Sequence, residues 1–178
     1  MHRAPSLLAF STVMFATTMS AHATIMVRRS IDDLTRDADV VAVATAGGAH
    51  ASWSDGHIVT DVSVQLDRVV RGTPEASTVT VRLPGGMIGD VGQRVEGAAS
   101  LEAGNRYVLF LHRDVPGRYF TVSMSQGVLP VQGGVRVMPA PASGATVVDR
   151  AATPAVFTVP AEGMALEMFV QHVMETSR

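Results

Sequence analysis

Four histidines, His50, His57, His112 and His172, are the side chains best suited to acid–base or metal chemistry after the first 23 residues. No two stand at a spacing such as H-x-x-x-H, and with no cysteine in the chain a closed structural zinc site lacks its usual ligands. Surface or cap positions are the better reading of them. Ser123-Met124-Ser125-Gln126-Gly127 has the outline of a nucleophile elbow. It lacks the leading glycine, and no strand-to-helix step follows. Ser125 therefore reads as the start of a turn, although a triad assembled in space leaves no signature in spacing.

The stretch after Leu83 carries glycines at 85, 86, 89, 92 and 97. Glycines behind a strand can bring backbone N–H groups up to a phosphate, but that needs a G-x-G-x-x-G or P-loop pattern opening a helix. Neither pattern is present. The glycines then serve backbone geometry, and the loop carries Met87 and Ile88 at its tip, either tucked over the core or offered to a partner. The only tryptophan, Trp53, lies in a second link, Gly47 to Gly56, ahead of a Ser54-Asp55-Gly56 turn. Trp53, Met87 and Ile88 are the candidate partner-binding residues. No catalytic, cofactor or metal residue is assigned.

These residues must be held by strands. Ile58, Thr60, Val62, Val64 and Leu66 alternate with Asp61, Ser63 and Gln65, the period of a strand with one wet face. Past Leu66 the phase slips, which predicts a bulge near Asp67-Arg68. Val40–Ala44, Thr78–Leu83, Arg106–Leu111 and Arg118–Val122 read as further strands, with shorter ones near Val128–Val131 and Val135–Val137. Ser30-Ile31-Asp32-Asp33 is a helix start. Leu166, Phe169, Val170 and Val173 recur at helical spacing. The expected fold is all-β: an OB-like barrel of five to six strands, a short N-terminal helix and a C-terminal amphipathic helix.

Composition bounds the function. Residues 1–23 have a short polar head, a mostly apolar run from Leu7 to Met19 and a small-x-small site at Ala21-His22-Ala23. That is a signal peptide, and cleavage between Ala23 and Thr24 is expected. It predicts an exported chain, periplasmic or extracellular. Residues 24–138 then form the β-barrel domain, 139–160 a Pro/Ala/Gly-rich linker or loop, and 161–176 the C-terminal helix. The mature chain carries 13 arginines, no lysine and 16 acids, a formal charge of −3 with its basic residues scattered. A nucleic-acid footprint needs a basic patch, so that class is set aside. No stretch after residue 23 is long and apolar enough to span a membrane.

Several spaced motifs agree in order: Asp37-Ala38-Asp39-Val40-Val41, Val59-Thr60, Val69-Val70-Arg71-Gly72, the Pro84-Gly85-Gly86 loop and Arg106-Tyr107-Val108-Leu109-Phe110-Leu111. From Ile31 to Val131 the chain resembles a group of uncharacterised secreted bacterial proteins, which implies export but no chemistry. More distantly it is similar to the OB-fold barrels of netrin-like modules and tissue inhibitors of metalloproteinases. That likeness implies the architecture, and an exported protease as one class of partner. The family's zinc-chelating N-terminal cysteine and its disulfides are absent, so its inhibitory mechanism does not transfer. The expected function is an exported, non-enzymatic binding module for a protein or peptide. The alternatives are a secreted hydrolase with a spatially assembled site and a structural cell-envelope protein.

Overall fold

The computed structural model describes residues 24–141, 143–149 and 157–177. The expected signal peptide, 1–23, lies outside them. The elements in chain order are β1 (Ile25–Val27), α1 (Ile31–Asp37), β2 (Val40–Ser54), β3 (His57–Arg71), β4 (Thr78–Pro84), β5 (Gly86–Ile88) and β6 (Val91–Gln93). There follow β7 (Arg106–Val115), β8 (Arg118–Thr121), a 3-10 turn (Met124–Gly127), β9 (Val128–Gln132), β10 (Arg136–Val137), β11 (Thr146–Val148), β12 (Met164–Ala165) and α2 (Leu166–Thr176). Across the described residues the protein is mostly β, with two helices and one large ring-like sheet.

Five strands make the ring. β2 pairs antiparallel with β3 and with β7, β3 pairs antiparallel with β4, and β4 pairs parallel with β8. β8 then returns antiparallel to the far half of β7, from Leu111 to Val115. The near half of β7 is flanked by β2 and β9, so β9, β10 and β12 extend the sheet away from the ring. The bulge expected near Asp67-Arg68 sits at Asp67: Val43 faces Arg68 while Ala44 faces Leu66, one residue too many on β3. A second extra residue falls at Val70 and a third at Gly47-Gly48 on β2. Each adds local twist, which a long two-stranded ribbon needs in order to curl.

Two apolar layers share one wall. Val40, Ala42, Ala44 and Ala46 point into the ring with Val62, Val64, Val81, Leu109 and Tyr119. Val41, Val43, Val108 and Phe110, on the other face of the same strands, pack under α1, α2 and the β9–β10 extension. The continuous apolar run Tyr107–Leu111 reads as it does because it is buried on both sides. Ser30 caps α1 by accepting a hydrogen bond from Asp33 N at 3.0 Å, and Asp32 and Asp33 complement its dipole. Phe169 of α2 is fully buried edge-on to Phe110, centroids 6.2 Å apart.

Three boundaries differ from the sequence reading. The link expected from Gly47 to Gly56 is the second half of β2, because the glycine pair is absorbed as a bulge instead of breaking the strand. Within the expected linker 139–160, Thr146–Val148 is a strand paired parallel with β1. Its β-branched residues suit that role, but the partner lies more than a hundred residues upstream. The C-terminal helix starts at Leu166, not 161, because Met164–Ala165 pair with Arg136–Val137 and Leu166 N donates to Val135 O at 2.8 Å.

Because Phe169 fills the space between α2 and the shared wall, Phe169→Ala should cost about 3–5 kcal/mol, the range for large aromatic core truncations. Urea unfolding checks this. A loss within about 0.5 kcal/mol, ordinary for a surface substitution, would mean that α2 does not pack there.

Candidate functional site

The β2–β3 ribbon outruns the ring. β4 ends opposite Val59, so the last residues of β2 and the first of β3 project as a free hairpin. Its turn is Asp55-Gly56, both residues at positive φ (49° and 78°), the two-residue geometry whose twist matches a ribbon. Trp53 faces Ile58 across this hairpin and Ala51 faces Thr60. Cross-strand partners share a face, so all four side chains stand on one side of the ribbon.

The loop expected from Gly85 to Gly97 is partly a second hairpin, β5–β6, turned at Gly89-Asp90. Gly85 N donates to Ile58 O at 2.8 Å, Thr60 Oγ1 donates to Gly85 O at 2.7 Å, and Ile58 N donates to Gln93 Oε1 at 2.7 Å. These three bonds hold the second hairpin on the face of the first. Gly86 is required at the crossing: a Cβ there would come within 2.3 Å of Thr60 Oγ1 and 3.3 Å of Ala51 and Ile58. Alternation along β5 gives Ile88 the same side as Gly86, toward the Trp53 ribbon, and turns Met87 away. Val91, opposite Ile88, shares its face.

The sequence-predicted residues are thus brought to one end of the molecule, but not to one surface. Trp53 (58% exposed) stands on the face that the second hairpin covers, with half-buried Ile88 on the facing side. Met87 (72% exposed) lies on the outer side, across from Gly92 of β6. Val91 (53% exposed) was missed, although a Gly-Asp pair between Met87-Ile88 and Val91 is a hairpin signal. Beside the tip an open cleft of about 620 Å³ is lined by His57, Arg82, Pro84, Gln93, Arg118 and Phe120 among others.

Ion pairs stiffen the strands below that cleft. Arg82 grips Asp61 through two bonds, Nε to Oδ1 at 2.7 Å and Nη2 to Oδ2 at 2.6 Å. This fork holds the Asp61 carboxyl below its ordinary 3.8 against the opposing effect of burial, and raises Arg82 in turn. Arg118 Nε donates to Asp114 Oδ2 at 2.6 Å.

The residues weighed for catalysis lie apart from one another. His112 Nδ1 is 2.9 Å from Asp39 Oδ2, His172 Nε2 is 2.6 Å from Asp32 Oδ1, and His57 Nδ1 is 3.5 Å from Gln93 Nε2. Ser125 is buried in the 3-10 turn, and its Oγ meets Ser143 Oγ at 2.8 Å. Ser123, just ahead of that turn, and Met124, its first residue, are in the left-handed region, at φ 51° and 57°. Among the described residues no group of three or more His, Cys, Asp or Glu is placed to hold a metal ion. Among them, too, no helix is long and apolar enough to cross a membrane. No protein-family model matches the chain, and no curated protein sequence matches it.

The Asp61–Arg82 fork sets a pH signature. A carboxyl held below 3.8 adds stability that is complete above that value and disappears as the pH falls through the lower folded one. Asp61→Asn should therefore cost about 1–2 kcal/mol at neutral pH, between an exposed pair and a well-made charged hydrogen bond. Urea midpoints of the two proteins should converge once the pH drops below 3.8. A gap that keeps its neutral-pH size well below that value would mean that the fork is not formed.

Proposed function

We propose that the chain is an exported binding module, with an OB-like barrel as its scaffold and the paired hairpin tips as its binding rim for a peptide or protein segment. Export is supported by the leader-like residues 1–23. The barrel reading is supported by the strand order β7-β2-β3-β4-β8 with β8 back on β7, and by the parallel β4–β8 pair. The sequence resemblance to secreted bacterial proteins and, more distantly, to netrin-like barrels points the same way.

One observation carries the binding reading. Trp53, Met87 and Val91 leave large apolar surfaces in solvent on two hairpins cross-linked by three hydrogen bonds. Exposed apolar surface on a rigid, glycine-framed support is the usual mark of a contact site, and a tryptophan is its strongest anchor type. Little of the core depends on it: the buried layers run from Val40 to Ala46 and from Tyr107 to Leu111, away from the tips.

The test uses random-peptide display on the exported protein, whose N-terminal sequencing should read Thr24 first. Selected peptides should shift the fluorescence of Trp53, the only tryptophan. Trp53→Ser/Met87→Ser/Ile88→Ser should lose their binding at least about tenfold, the equivalent of about 1.4 kcal/mol. Peptides that bind the triple variant as tightly as the parent would place the site elsewhere.

A further inference from the structure

Toward the tip, β2 has a strand beside it on one edge only. β7 accompanies its other edge from Val40 to Thr45. Ala46 ends that side, its N donating to Asn105 O at 3.0 Å and its O accepting from Gly104 N at 2.8 Å. From Ala49 to Ser54 β3 is the sole strand partner. The two-residue turn makes Ser54 and His57 the hydrogen-bonded closing pair, so Trp53 and Ile58 form the next, non-bonded pair. Ile58 agrees: its N donates to Gln93 Oε1 and its O accepts from Gly85 N, both away from β2. The N–H and C=O groups of Trp53, and by the same alternation those of Ala51 and Ala49, therefore point outward from the ribbon. Among the described residues none of them has a hydrogen-bond partner.

Outward donors and acceptors recurring about every 7 Å, two strand rises, are matched by one kind of ligand, another extended backbone. Free edges are ordinarily blunted by proline, charge or a covering loop. From Ala49 to Ser54 there is no proline and no Arg, Lys, Asp or Glu. The second hairpin enters over the opposite edge of the ribbon, at Ile58. A second copy docked antiparallel about Ala51 would carry its ring to the far end. It would meet this one along a few residues, against the roughly 20–30 a side of a stable interface. We propose, resting on the peptide-binding reading above, that this edge of β2 takes an extended peptide as an added strand of the ribbon. Peptide side chains opposite Ala49 and Ala51 lie on the Trp53 face, where the two alanines leave room for large apolar groups. Those in between meet His50, Ser52 and Ser54 and are polar.

The tightest heptapeptide from the display selection tests this in three capped synthetic forms: unmodified, and N-methylated at alternate amides in either phase. One methylated form should lose binding at least about tenfold and the other keep it within about twofold, because an added strand turns only every second amide to its neighbour. In the unbound protein the amides of Ala51 and Trp53 should exchange with solvent far faster than those of Ser52 and Ser54. Saturating unmodified peptide should slow them at least about tenfold. Ala51→Pro removes an outward N–H, which an edge strand tolerates because no ladder bond is lost. It should weaken the unmodified peptide at least about tenfold at an unchanged urea midpoint. If that variant is itself destabilised, the methylated peptides and the exchange rates decide. Equal effects of the two methylation phases, or Ala51 and Trp53 exchange unaltered by a peptide that shifts Trp53 fluorescence, would overturn strand addition and leave the rim standing. A concentration-dependent dimer that protects the same amides without peptide would put a second copy on the edge and overturn the proposal. If no display-selected peptide perturbs Trp53, the rim reading falls and this inference with it.

Discussion

Everything in this molecule hangs on two strands buried on both faces. β2 from Val40 to Ala46 and β7 from Tyr107 to Leu111 lie side by side, with one set of side chains inside the ring and the other under the helices. A wall with no wet face must be apolar, and from Val40 to Ala44 it is; on the ring side the alanines at 42, 44 and 46 of β2 lie with the larger Tyr107, Leu109 and Leu111 of β7. Each fully buried valine or leucine contributes about 1.5–3 kcal/mol, so this wall is a concentrated source of stability.

The wall's position also decides where variation is tolerated. β2 leaves it after Ala46, and the Gly47-Gly48 bulge redirects the strand. From there β3 stays paired with β4 as far as Val59, and the part of the β2–β3 ribbon beyond Ser52 and Val59 projects past the ring under the cover of β5–β6. The second hairpin gives that ribbon a covered face and buries Ile58, while Trp53 stays in solvent. A projecting ribbon held at its base by bonds between Gly85, Ile58, Thr60 and Gln93 can carry exposed apolar residues without loosening the core.

Much of the fold was legible because its signals are local. Alternation from Ile58 to Leu66, the cap at Ser30 and the uninterrupted run from Tyr107 to Leu111 each report their own burial. The phase slip at Asp67 was readable for the same reason: burial of one face leaves a single register. The second half of β2 was not, since Gly47-Gly48 followed by Ala-His-Ala-Ser looks like a link until its partner strand is in place. β11 was hidden likewise, because a three-residue strand exists only through its partner β1. At the candidate site, sequence picked out Trp53, Met87 and Ile88 as apolar residues among glycines. It could not tell that alternation along β5 sends Met87 and Ile88 to opposite sides, nor that Val91 joins Ile88.

The central claim is a division of labour, with stability in the two-faced wall and contact chemistry on the projecting hairpins. Native-state hydrogen exchange on the parent and on Trp53→Ser/Met87→Ser/Ile88→Ser measures it directly. Amides of Val41–Ala44 and Val108–Phe110 should exchange only through global unfolding, at the same rate in both proteins, while those around Asp55 and Asp90 exchange far faster in each. If the triple substitution strips protection from the wall, the rim residues belong to the core and the division does not exist.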